Sequence, residues 1–244
     1  MIAKSLPSIF TVGNLFLGIL SIIFVFNNRP DYAAMMVIVA MLMDGLDGRV
    51  ARALNVQSEF GKELDSLSDV ISFGVAPAFV IYVVGLQEVN PAAAWIATAV
   101  FPICGALRLA RFNVKASTPG YFIGLPIPAA GGVLATLALF HNEIATPILL
   151  LSELFLSFLM VSTVKYPSFK KVGIPKSAMW ILPIIVAIAV VVAIKYPGTL
   201  SKLIFVPLVL YALYGLKKNV RILNRRTRRM KLEEQREIEA RDIV

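Results

Sequence analysis

Four aspartates, Asp44, Asp47, Asp65 and Asp69, lie within MDGLDGRVARALNVQSEFGKELDSLSDV, residues 43–70, at the margins of long apolar runs. Carboxylates are costly in or beside hydrocarbon, and where they are retained they mark ion sites, proton transfer or catalysis. At about 100° per residue, Asp44 and Asp47 stand about 300° apart and Asp65 and Asp69 about 400° apart, so each pair projects from one helix face. Four like charges held together repel strongly in a low dielectric, and either protonation or bound cations must relieve them. Ligands that are all oxygen select a hard divalent ion such as magnesium or manganese, and four carboxylates suffice for two such ions.

Small residues extend the acidic faces. Gly48 and Ala51 follow Asp44 at four and seven positions, and Gly61, Asp65, Asp69 and Ser72 run along the second stretch. Something bulky can approach such a surface. A short basic connection with Arg49, Arg52 and Lys62 makes the two stretches consecutive antiparallel helices, able to bring all four carboxylates together. Two plainer readings compete: acidic residues can simply flank a membrane span, and small residues spaced by four also mark helix packing. An ion pathway, as in a cation transporter, would need polar groups continuing across the bilayer, and only Glu153 and scattered Ser and Thr do so.

The elements that carry these residues are membrane spans. Of 244 residues, 58% are hydrophobic and 16% charged, far from the composition of a soluble domain. Runs of about 17–25 apolar residues cross a bilayer as helices. About eight are expected, near 8–27, 31–52, 65–87, 91–112, 123–141, 144–164, 177–195 and 200–216. The fold class is therefore an all-α polytopic membrane protein, with a transmembrane catalytic domain over 1–216 and a mixed basic and acidic cytoplasmic tail over 217–244. The first run, behind Lys4, has no small-residue cleavage site and is expected to remain as a span.

An even number of spans puts both termini on one side, and Lys and Arg collect on the cytoplasmic face. With the N-terminus inside, 21 of the 24 basic residues are cytoplasmic, and only Arg29, Lys195 and Lys202 are outside. The expected location is thus the cell membrane, multi-pass, with both termini cytoplasmic. The net charge of +9 then reflects topology and contact with anionic membrane lipids rather than nucleic acid, for which no motif is present. The single Cys104 and the single His141 leave no disulfide framework, no Ser-His-Asp triad and no histidine metal site. Chemistry falls to carboxylates, hydroxyls and cations.

Read as a pattern, Asp44-x2-Asp47-Gly48-x2-Ala51-Arg52-x8-Gly61-x3-Asp65-x3-Asp69 matches the CDP-alcohol phosphotransferase signature at every defined position. The resemblance implies an integral membrane enzyme, usually a homodimer, that displaces CMP from a CDP-linked lipid or alcohol with an incoming hydroxyl. It implies a six-helix catalytic core with the motif on its second and third helices. It also makes Asp44, Asp47, Asp65 and Asp69 ligands of a two-metal site for Mg2+ or Mn2+, with Asp69 the general base. Gly48, Ala51, Arg52 and Gly61 would line the nucleotide.

Three further stretches, TVGNLFLG at 11–18, LRLARFN at 107–113 and GLPIPAAGG at 124–132, resemble the phosphatidylserine synthase branch of that family. Together with the signature, the resemblance runs from about residue 5 to 135. It departs at Pro7-Ser8, where many relatives carry Asn after the proline. It implies transfer of the phosphatidyl group of CDP-diacylglycerol, or an ether-lipid equivalent, to L-serine. Arg108 and Arg111, three apart on one helical face, can present a planar fork to the serine carboxylate, with Asn113 near the ammonium. As positive-inside flanks they need no such role. The pair would equally suit a phosphate, so glycerol 3-phosphate or inositol phosphate stays an alternative acceptor. Thr11, Asn14 and Gly18 form a narrow polar stripe able to meet the nucleotide or metals, or to serve as helix glue.

Overall fold

The computed structural model describes residues 2–54, 58–114 and 121–167; within helices, side chains are described for neither 2–7 nor 46–54. The expected spans at 177–195 and 200–216 and the tail lie outside these residues. Among the described residues there are six helices: α1 (Ile2–Phe26), α2 (Pro30–Leu54), α3 (Glu59–Leu86), α4 (Pro91–Val114), α5 (Ile127–Leu139) and α6 (Thr146–Val161). A two-stranded antiparallel ribbon, β1 (Tyr121–Ile123) on β2 (Lys165–Pro167), pairs Phe122 with Tyr166.

Among the described residues, three helices are long and apolar enough to cross a membrane, Ser8–Phe26, Glu59–Leu86 and Pro91–Val114. Their outward rows are apolar: Ile9, Val12, Phe16, Ile19 and Ile23 on α1, and Trp95, Ile96, Ile103 and Leu107 on α4, are exposed. The interior holds Thr11, Asn14, Ser21, Ser68, Asp69, Ser72, Arg108 and Glu153. Apolar outside and polar within is the arrangement that hydrocarbon as solvent selects. The protein is an all-α membrane protein.

α3 is the hub. Its first turns lie against α1, and its middle meets α1, α2, α4 and α5. Small residues permit this crowding: a Cβ on Gly18 of α1 would collide with Ser72, and one on Gly131 of α5 would strike the Phe73 backbone. Directly after Asp69 the α-helix widens to a π-helix over Val70–Val75, and again over Tyr82–Leu86. Such local widening is frequent at functional sites.

Two expected spans are shorter than the apolar runs that suggested them. The run at 123–141 begins as a strand, turns at Gly124 (φ 79) and becomes helical only at Ile127. The 13 residues of α5 give about 20 Å of helix, less than a bilayer core of about 30 Å. Pro126 and Pro128 cause the delay, since proline disfavours helix in the residue before it and is accepted in the first turn. The run at 144–164 yields a helix of 16 residues, because Val164 turns into the ribbon and accepts a bond from the Gly124 amide at 2.8 Å.

Candidate metal and lipid-nucleotide site

α3 starts where Ser58 caps it, the Oγ accepting from the Gly61 amide at 3.0 Å, with Glu59 in the first turn. Both features favour the positive end of the helix. Gly61 therefore sits in the opening turn, and a Cβ there would stand 3.1 Å from the cap oxygen. One and two turns on, Asp65 and Asp69 face inward.

Among the described residues, α2 packs on α3 over the Val70–Ile81 stretch, and the aspartate-bearing turns of α3 rest on α1. Asp44, Asp65 and Asp69 each offer a carboxylate oxygen to one point, the three atoms lying within 4.8 Å of one another. Asp69 is 6% exposed. Three carboxylates this close form a hard, anionic donor set suited to a divalent ion. Asp47, Gly48, Ala51 and Arg52 follow Asp44 on α2, whose backbone is helical to Leu54; their side chains are outside those described.

The α1 stripe packs on the helix that carries Asp65 and Asp69. Ser68 donates to the Thr11 carbonyl at 3.2 Å and Ser72 to the Asn14 carbonyl at 2.9 Å, one bond on either side of Asp69 in sequence. The Asn14 side chain is fully buried, and neither its Oδ1 nor its Nδ2 has a hydrogen-bond partner among the described residues. The sequence placed Ser72 on the acidic face but gave no sign of Ser68. Ser68 and Ser72, four apart, repeat the register of Asp65 and Asp69 one position behind it.

The expected arginine fork is divided. Arg108 is 6% exposed and its guanidinium lies 5.8 Å from the Phe112 ring centroid. Arg111 reaches instead to the end of α6, donating to the carbonyls of Val161 at 2.9 Å, Met160 at 3.2 Å and Ser162 at 3.3 Å. The last carbonyls of a helix lack intrahelical partners, and a cation there also complements the dipole. Gly124 makes room for the reach, since a Cβ there would stand 2.9 Å from Arg111 Nη2. Arg111→Met is expected to cost about 2 kcal/mol, read as a lower thermal midpoint in detergent. Arg111→Lys should recover only part, because an ammonium lacks the planar fork.

Asn113, at the end of α4, donates from Nδ2 to Ser66 Oγ at 2.9 Å and to Glu63 Oε2 at 3.3 Å. It thereby ties α4 to α3 beside Asp65. No sequence signal singled out Glu63 or Ser66, which sit between motif positions. Glu153 is fully buried in α6, and its carboxylate has no hydrogen-bond partner among the described residues.

Comparison with known proteins accords with this geometry. A family model described as CDP-alcohol phosphatidyltransferase matches residues 4–191. The chain is 39% identical over 219 residues to the CDP-diacylglycerol–serine O-phosphatidyltransferase of Helicobacter pylori (strain ATCC 700392 / 26695), covering 86% of this chain and 89% of the relative. It is 39% identical over 166 residues to the protein of that name from Bacillus subtilis (strain 168), covering 68% of this chain and 92% of the relative. To that of Methanocaldococcus jannaschii it is 37% identical over 189 residues, with 76% and 83% covered. A match of this extent, over a chain whose spaced aspartates meet at one point, shows that the protein belongs to the CDP-alcohol phosphatidyltransferase family.

Proposed function

We propose that the protein transfers the phosphatidyl group of CDP-diacylglycerol to the hydroxyl of L-serine, releasing CMP and forming phosphatidylserine. The observation that carries this is the convergence of Asp44, Asp65 and Asp69 in a chain aligned over most of its length with relatives named for that transfer.

The donor set fits a divalent ion. Asp44, Asp65 and Asp69 would hold it, and Asp47, one turn along α2, would complete a pair of sites for Mg2+ or Mn2+. When bound, the metal offsets the charge of the diphosphate and of the departing CMP. The remaining work belongs to side chains. Asp69, beside the reacting centre and largely shielded from water, takes the proton from the serine hydroxyl as its oxygen attacks the lipid-side phosphorus. A new P–O bond to serine forms, the bond from that phosphorus to the oxygen bridging to CMP breaks, and CMP leaves with the electron pair. Gly48, Ala51, Arg52 and Gly61 line the nucleotide, with Asn14 beneath it. Arg108 meets the serine carboxylate and Asn113 the ammonium, while Arg111 holds the end of α6.

The same reading makes the protein an eight-span enzyme around a six-helix core, working as a homodimer, both termini and the site at the cytoplasmic face. There a water-soluble alcohol reaches a diphosphate borne by a diacyl lipid or its ether equivalent. Purified protein with manganese and CDP-diacylglycerol should release CMP when given L-serine and not with glycerol 3-phosphate or inositol phosphate. Release with one of the phosphorylated acceptors alone would keep the family chemistry and overturn the acceptor.

A further inference from the structure

The hydrogen bonds around Asn113 define which way its amide points. Ser66 Oγ spends its only proton on the Lys62 carbonyl, at 3.1 Å, so it can only accept from Asn113. The Glu63 carboxylate has no proton to give when ionised, and it too accepts. Both partners therefore require the amide nitrogen, at 2.9 Å and 3.3 Å, and the orientation follows from the network rather than from assignment. With both N–H groups engaged, Oδ1 faces the other way. It is buried and has no hydrogen-bond partner among the described residues. A buried acceptor left without a donor is costly, and a ligand that brings N–H or O–H groups would satisfy it.

We infer that Glu63 and Ser66 are positioning residues for acceptor specificity. They lock Asn113 so that its Oδ1 receives the ammonium of the acceptor, next to the metal-ligating Asp65. The inference rests on the reading of L-serine as acceptor and deepens it. An ammonium supplies the missing donors and is attracted at longer range by the Glu63 carboxylate, whereas a phosphorylated alcohol brings charge of the same sign as Glu63. Selection between serine and phosphate-bearing acceptors thus draws on a residue that is outside the motif and exposed at the mouth of the site.

Glu63→Gln offers the amide a partner that can donate as well as accept, and Ser66→Ala removes the second lock; either lets the Asn113 amide rotate. Steady-state CMP release by full-length Glu63→Gln should show KM for L-serine raised about tenfold, as loss of one charge-assisted hydrogen bond would give. Its kcat should remain within about twofold and its KM for CDP-diacylglycerol unchanged. Ser66→Ala should show the same split, and Asn113→Ala combined with Glu63→Gln should be no worse than Asn113→Ala alone. A merely structural role would move all the constants together. Unchanged KM for serine in both single variants, or any pattern without a selective rise, would overturn the inference. Wild-type protein that ignores serine would overturn the underlying reading instead, before any variant is compared.

Discussion

Asp69→Asn is expected to lower kcat by about 10³-fold, within the range that general base catalysis contributes, while binding of the CDP-lipid falls less than it does in Asp44→Ala. Asparagine keeps the shape and one oxygen ligand of aspartate but cannot take the proton from the attacking hydroxyl. Asp44→Ala removes a ligand oxygen from the point where three carboxylates lie within 4.8 Å, so its loss should appear in affinity for the diphosphate. Turnover with L-serine, paired with equilibrium binding of CDP-diacylglycerol, separates the two. Equal loss of binding in both variants would remove Asp69 from the role of base and leave it as a ligand only.

Removal of divalent metal is expected to have an effect as large or larger. Three carboxylates meeting at one point add negative charge where the diphosphate must bind, so a cation between them favours the donor lipid. Excess chelator should bring serine-dependent CMP release to background, and readdition of Mn2+ or Mg2+ should restore it. Activity that persists under chelation would discard the metal site and with it the assignment of Asp44 and Asp65. The transporter alternative predicts metal binding too, but not CMP release.

How much of this was legible in the sequence can be judged residue by residue. The membrane class, the pairing of aspartates by helical face and their meeting across two consecutive helices all follow from local rules: hydropathy over about 20 residues and a repeat near 100° per residue. Asp44, Asp65 and Asp69 converge because those rules act along single helices joined by a short connection. The stripe of Thr11, Asn14 and Gly18 was legible for the same reason, although its pairing with Ser68 and Ser72 was not. Ser58, ahead of Glu59, was a readable helix start, and it moves the beginning of α3 six residues before the expected 65.

The tertiary structure alone decided what long-range contacts decide. Arg108 and Arg111 share a face in sequence, yet Arg111 serves the carbonyls ending α6, 49 to 51 residues away, because the last carbonyls of a helix lack intrahelical partners and favour a cation. Hydropathy could not shorten the run at 123–141, since Gly124 at positive φ and the ribbon to Lys165–Pro167 are set by a pairing more than forty residues distant. The lock on Asn113 depends on α4 returning beside α3, so Glu63 and Ser66 carried no mark in a linear pattern. Periodicity and motif spacing thus determined by themselves which residues could do the chemistry, whereas packing decided which of their neighbours hold them in place, because those partners are distant in the chain and adjacent only once folded.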